Sequence, residues 1–237
     1  MQIAPHLHRI GNDIVAAYLI VTSDGITVID AGLPGHWRDL QRELVTLDRS
    51  LADIRGIILT HGDSDHLGFA ERLRRETGAP IHIHPADADR ARGGEKPKTP
   101  LGRFRALPVV SFAAYALRKG AARTTYVTET IGISDGQVLD LPGSPRVIGL
   151  PGHSPGSVAI LSADVRALFV GDALTTRHVL TGDRGPQPAP FTDDPAQAVA
   201  ILDRLRGTDA EWILPGHGAP WRGTPDAAID AVQALVS

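Results

Sequence analysis

No cysteine occurs among the 237 residues. Disulfides and thiolate metal ligands are thereby excluded, so any bound metal must be held by histidine and carboxylate. No apolar run approaches the roughly 18 residues that a membrane span needs, so no transmembrane segment is expected. The opening residues Met1-Gln2-Ile3-Ala4-Pro5-His6 lack the basic-then-apolar order of a signal peptide, and a cytoplasmic protein is expected. A strong excess of basic charge is also missing. The net charge of −3 gives no global signal for nucleic acid, and no such partner is expected. No low-complexity linker divides the chain, which is long enough for one large α/β unit with a sizeable core.

Charge is nevertheless uneven. From Arg90 to Arg123 there are nine Lys/Arg and one acid, Glu95, leaving 15 basic and 26 acidic residues elsewhere, a net of −11. The same stretch breaks the regularity of its surroundings. Before it, short β-rich runs at Ile14 to Thr22, Ile26 to Ile29, Ile54 to Leu59 and Pro80 to His84 alternate with helical spacing at about 36–47 and 64–76. After it, strands are predicted near 126–130, 137–139, 146–150, 158–161, 167–170 and 211–214, with helices near 194–205 and 224–235. Between them, Gly93-Gly94, Pro97 and Pro100 mark an irregular loop, and Leu107 to Leu117 predicts an apolar helix beginning at Pro108. The organisation expected is one domain over 1–237 with an inserted cap at about 85–123.

The densest chemistry is Thr60-His61-Gly62-Asp63-Ser64-Asp65-His66, at the end of the 54–59 strand. Two imidazoles and two carboxylates packed this closely are costly to bury unless a cation or hydrogen bonds satisfy them. Three further strand ends carry a ligand-type residue beside glycine: Pro151-Gly152-His153-Ser154, Gly171-Asp172 and Pro215-Gly216-His217-Gly218. Glycine there lets the backbone turn sharply, and strand ends on one sheet edge are where α/β folds place sites.

With these stations in order, the chain resembles the metallo-β-lactamase superfamily of metal-dependent hydrolases. Its motif His-x-His-x-Asp-His, followed by single His, Asp and His ligands, matches His61, Asp65, His66, His153, Asp172 and His217. Asp30 matches the early aspartate that supports a ligand rather than binding metal. The resemblance implies an αββα sandwich of two mixed β-sheets flanked by helices, with the site at one rim. It implies two divalent ions, zinc first among them, one on His61, residue 63 and His153, the other on Asp65, His66 and His217, with Asp172 bridging. The departure is Asp63, which stands where the second histidine is usual. Its shorter, anionic oxygen donor is expected to ligate and to shift preference toward iron or manganese; the alternative is a weak or missing first metal.

The expected reaction is hydrolysis of a small ester, lactone, thioester or amide by a metal-bound hydroxide, with Asp65 also orienting the nucleophile or carrying a proton. Substrate contacts are expected from the cap, through Arg103, Arg105, Phe112 and Tyr115, and from His178. The apolar 107–117 segment could instead pair with another copy or lie on a membrane. His82 and His84 are read as structural, and His6, His8 and His36 as surface or turn residues. Two other readings compete. An iron-dependent oxidoreductase of the same fold, acting on O2, NO or a thiol-derived substrate, would suit the carboxylate at 63. A serine hydrolase would use Gly152-His153-Ser154-Pro155-Gly156 as a nucleophile elbow, but the residues after Gly156 read as a strand where that motif needs a helix.

Overall fold

Alternation along the strands explains the architecture. In β3 (Ala16–Thr22), Ala17, Leu19 and Val21 enter one apolar core, while Ala16, Tyr18 and Ile20 enter another. A strand buried on both faces belongs to a sheet covered on both sides. The computed structural model describes residues 1–97, 99 and 102–236.

The first sheet runs in the order β1 (Gln2–Ala4), β2 (Leu7–Gly11), β3, β4 (Gly25–Ile29), β5 (Ile54–Ile58), β6 (Ile81–Ile83) and β7 (Ile131–Gly132). It is antiparallel from β1 to β4 and parallel from β4 to β7. The second sheet contains β8 (Arg146–Gly149), β9 (Val158–Ser162) and β10 (Ala167–Gly171). A small separate ribbon, β11 (Thr175–Arg177) with β12 (Arg184–Gln187), follows. The second sheet then closes with β13 (Trp212–Pro215) parallel to β10 and β14 (Trp221–Arg222) at its edge.

Three apolar layers result. Helices α1 (Trp37–Thr46) and α2 (Ala70–Thr77) place Trp37, Leu40, Leu44 and Leu73 on the outer face of the first sheet. Between the sheets lie Tyr18, Ile20, Ile29, Ile58, Ile160, Phe169 and Leu214, with Tyr18 and Phe169 edge to face at 5.6 Å. The outer face of the second sheet, through Leu168 and Ile213, packs against Leu202, Leu205 and Ile229. The expected αββα sandwich of two mixed sheets is therefore the observed one.

Helix α3 (Pro85–Ala91) and helix α4 (Ala106–Arg118) fall within the segment read as a cap. Residues 85–91 are helical rather than irregular, because Pro85 occupies the first turn and His84 accepts the Ala86 amide. Pro100 lies outside the described residues. The remaining helices, α5 (Pro195–Ala200) and α6 (Pro225–Ala234), both begin at proline and are capped by Asp194 and Thr224.

Two further expectations are corrected. The helix predicted from Ser64 starts only at Ala70, because the intervening backbone bonds elsewhere. The His66 carbonyl accepts the Ala31 amide, and the Gly68 amide donates to Gly32. No strand forms over 126–130, where Val127 donates to the Ala91 carbonyl and Thr128 is held by buried Glu71.

Candidate metal centre

Four segments meet at one rim of the sandwich. The loop after β5 supplies His61, Asp63, Asp65 and His66; the ends of β8, β10 and β13 supply His153, Asp172 and His217. Groups whose ligand atoms lie within 4.8 Å of one another are His61–Asp63–His153, Asp65–His66–His217 and His61–His66–Asp172. All the expected ligand positions are brought together. The first two groups are the two metal positions read from the motif, and Asp172 lies between them, with Oδ1 3.5 Å from His66 Nε2 and Oδ2 3.9 Å from His153 Nε2 and 3.2 Å from His217 Nε2.

The rings are oriented from behind. His66 Nδ1 bonds Asp30 Oδ2 at 2.9 Å, His153 Nδ1 meets Thr192 Oγ1 at 3.1 Å, and His217 Nδ1 meets the Ile14 carbonyl at 2.5 Å. His61 Nδ1 is 3.1 Å from Thr60 Oγ1. Each Nδ1 is thus engaged and each Nε2 turns inward, the arrangement that fixes the tautomer of a metal-binding histidine. Asp30 sits at the end of β4 with φ of +58°, and accepts the Thr60 amide at 2.8 Å as well as the His66 ring.

Close approach at this rim depends on glycine. A Cβ at Gly216 would stand 2.3 Å from His66 Cε1 and 2.6 Å from Asp172 Oδ1, inside the ligand cluster.

The electrostatics favour a cation. Burial alone would lower the pKa of His66 and His217, but Asp30 and Asp172 around the first, and Asp172 and Asp65 around the second, raise them to about 10 and about 9. Burial would raise the carboxyl of Asp172, yet His217 and His66 hold it well below its ordinary range. His61 moves the opposite way, pushed well down by burial and by His66 and His153. At the centre, His61 Nε2, His66 Nε2, His153 Nε2 and Asp172 Oδ1 are buried with no hydrogen-bond partner. Buried polar atoms are rarely left so, and here they converge with the donor chemistry of a divalent-metal site. The residues present fit such an ion.

Asp63 has more partners than its place in the motif suggests. Its Oδ2 is 3.6 Å from His153 Nε2 and 3.9 Å from His61 Nε2, and Lys96 Nζ pairs with that same oxygen. Its Oδ1 accepts from Arg90 Nε at 2.5 Å, and Arg90 Nη1 reaches Asp193 at 2.8 Å. Burial would raise this carboxyl, but His153, His61 and Lys96 hold it well below the ordinary range.

A second support was not legible in the sequence. Asp87, on α3, is fully buried and accepts from the Gly62 amide at 2.8 Å, the Gly156 amide at 2.7 Å and Ser154 Oγ at 2.6 Å. It ties the loop carrying His61 and Asp63 to the loop carrying His153. Only a helix-forming Pro-Ala-Asp stood there as a signal. Ser154 is therefore a buried donor to Asp87, and the chain after Gly156 enters strand β9, as expected from its pattern. This geometry does not serve a nucleophile elbow.

The cavity over the cluster, of about 330 Å3, is lined by Asp63, Asp65 and Lys96 on one side and by Leu33, Phe112 and Phe191 on another. The Phe112 ring lies 6.2 Å from that of His217. The other proposed substrate contacts lie elsewhere. Tyr115 is buried, its hydroxyl 2.7 Å from His36 Nε2, because the apolar pocket of Val15 and Leu33 takes its ring. Arg105 pairs with Asp183 at 2.9 Å and, with Arg103 and His178, lines a separate cavity of about 420 Å3. His178 Nδ1 accepts the Thr181 amide there. His36 and His8 are not surface residues: the first is wholly buried, and the second bonds Glu43 at 2.7 Å. His84 caps α3, a structural role as read, and His6 is exposed.

A family model described as the Metallo-beta-lactamase superfamily matches residues 10–217. The chain belongs to the metallo-beta-lactamase superfamily. Among curated relatives, the probable metallo-hydrolase YflN of Bacillus subtilis (strain 168) is 29% identical over 215 residues, covering 83% of this chain and 76% of that protein. Among solved structures, the metallo-beta-lactamase family protein TTHA1429 of Thermus thermophilus aligns with a TM-score of 0.72 at 21% identity, covering 99% of this chain and 80% of that one. TTHA1623, solved in a di-iron-bound form, aligns with a TM-score of 0.63 at 26% identity over 94% of this chain and 96% of that one. The metallo-beta-lactamase fold implies binding of divalent metal, and the histidine and aspartate groups described here are able to hold it. Among the described residues no helix is long and apolar enough to cross a membrane.

Proposed function

We propose that the protein is a dinuclear metallohydrolase acting on a small ester, lactone, thioester or amide. The observation that carries this reading is the convergence of partnerless His61 Nε2, His66 Nε2, His153 Nε2 and Asp172 Oδ1 between two three-residue ligand groups. His61, Asp63 and His153 would hold one ion and Asp65, His66 and His217 the other, with Asp172 shared. Zinc is the first expectation. Such a pair, when bound, lowers the pKa of a water toward neutrality and polarises the oxygen of a carbonyl.

This chain's own residues do the rest. Asp65, partly open to the cavity and 3.4 Å from His217 Nε2 through Oδ2, is placed to take a proton at its other oxygen and pass it to the leaving group. Leu33, Phe112 and Phe191 form an apolar wall that would seat the acyl part of a substrate and keep water from it. Arg90 and Lys96 neutralise Asp63, so a third carboxylate donor, beside Asp65 and Asp172, enters the site without leaving its charge unpaired.

A second reading stays in view because of Asp63. Its harder oxygen donor suits iron or manganese, and TTHA1623 has been solved in a di-iron-bound form. Metal analysis of the purified protein, paired with a hydrolysis screen over lactones, thioesters, β-lactams and phosphodiesters, separates the two. Zinc or manganese with turnover supports the hydrolase. Iron near two equivalents with no hydrolysis rejects it in favour of an oxidoreductase.

A further inference from the structure

Apart from Ser111 and its last residue, Arg118, helix α4 is apolar, yet half of it faces solvent. Its inward side places Phe112 and Tyr115 against the body of the protein. Its outward side presents Leu107, Val110, Ala113, Ala114 and Leu117, with Leu107 83% exposed, Val110 63% and Leu117 67%. Phe104, just before the helix, is 64% exposed. A helix on the surface of a globular protein ordinarily turns charged side chains to water. Here no charged residue stands between Ala106 and Leu117. An apolar stripe three helical turns long is the signature of a face that meets a partner.

Charge identifies the partner. Arg103 and Arg105 precede the helix, Arg118, Lys119 and Arg123 follow it, and no acid occurs from Lys96 to Arg123. Arg105 and Lys119 are engaged by Asp183 and Asp39, while Arg118 lies over the Tyr115 ring. An apolar strip with cations at both ends complements a surface that is apolar within and anionic at its boundary. A second copy meets it poorly, since pairing α4 with its twin in either direction brings cationic ends together.

We propose that α4 docks the protein on anionic phospholipid, with Leu107, Val110 and Leu117 entering the acyl boundary and the flanking arginines meeting headgroups. The docking helix also walls the cavity over the metal centre through Phe112 and Ala116. Docking thus brings that cavity beside lipid, whatever reaction it carries out.

The test is flotation of the intact, metal-loaded chain with vesicles of phosphatidylcholine, with and without phosphatidylglycerol. Binding is expected only with the anionic lipid and should weaken as salt rises. Replacing Leu107 and Leu117 together by glutamate should lower binding about tenfold or more, while far-UV circular dichroism and metal content stay unchanged. Arg103→Gln and Arg123→Gln should each lower it about fivefold. Failure to float with anionic vesicles overturns the proposal, as does binding that the glutamate pair leaves intact. So does a dimer in sedimentation analysis that Leu117→Glu dissociates when no vesicle binding is seen, which would assign the face to a second copy.

Discussion

Replacing Asp87 by alanine would remove a buried side chain that spans both halves of the first ligand group. Its carboxylate accepts from the buried amides of Gly62 and Gly156, at 2.8 and 2.7 Å, and from Ser154 Oγ at 2.6 Å. The Ser154 hydroxyl has Ser157 Oγ 2.7 Å away as an alternative partner. Among the described residues the two amides make no other hydrogen bond. Each orphaned buried donor costs about 1–3 kcal/mol, so the loss is expected at about 4 kcal/mol, a large part of the roughly 5–15 kcal/mol that holds such proteins folded. Equilibrium urea unfolding of the metal-free protein measures this directly, through a lowered midpoint at unchanged slope. Gly62 lies between His61 and Asp63, and Gly156 follows His153 closely, so metal binding should suffer unevenly. The His61–Asp63–His153 group should lose affinity by about tenfold, the scale on which supporting contacts act. The Asp65–His66–His217 group should hold its ion nearly as before. Chelator competition on both equivalents reads the split. An Asp87→Ala protein within about 1 kcal/mol of the parent, binding both ions unchanged, would refute the clamp.

The remaining expectations concern charge and metal. Lys96 pairs with the Asp63 oxygen that faces His153 and His61, so Lys96→Met should tighten binding at the His61–Asp63–His153 group about tenfold, or about 1.4 kcal/mol; unchanged affinity by competition titration would remove Lys96 from this account. Burial lowers the pKa of His36 from 6.5 to about 4, so between those values the unfolded chain binds the extra proton and stability falls as pH falls. That loss, about 3 kcal/mol by the time pH reaches about 4, should be largely missing in His36→Gln when urea unfolding is compared at neutral pH and at that acidic limit; equal losses in both proteins would count against it. Asp30→Ala should abolish turnover and loosen the His66 group about tenfold to a hundredfold, measured as metal content after dialysis, and full retention would show that its bond to His66 is idle.

The ligand stations were legible because each is local: an apolar strand, a glycine and a donor residue, repeated at 61–66, 153, 172 and 217. The layers followed from strands that are apolar on both faces, as in β3 and β10. What stayed hidden depends on contacts distant in sequence. Nothing near Asp87 indicates that it will meet Gly156, 69 residues on. Arg90 was one of nine cations in its segment, and only the fold turns it toward Asp63 and Asp193. Helical propensity at 64–69 yields to bonds with the loop at 31–32, which hold His66 at the cluster. Tyr115 carried the composition of a substrate contact, but its hydroxyl found His36.

Each ligand group draws on both sheets. His61 and Asp63 come from the first and His153 from the second; Asp65 and His66 from the first and His217 from the second. Protein bonds already cross this rim, from Tyr18 Oη to the Pro215 carbonyl, from the Ala16 amide to Gly216, and from the Val158 amide to Thr60. An ion in either group would therefore act as a rivet between two leaves that otherwise meet here through these few bonds and through the apolar side chains between the sheets. Prying the leaves apart at this edge would then require releasing the ion, so the fastener that readies the site for chemistry would also keep the book closed.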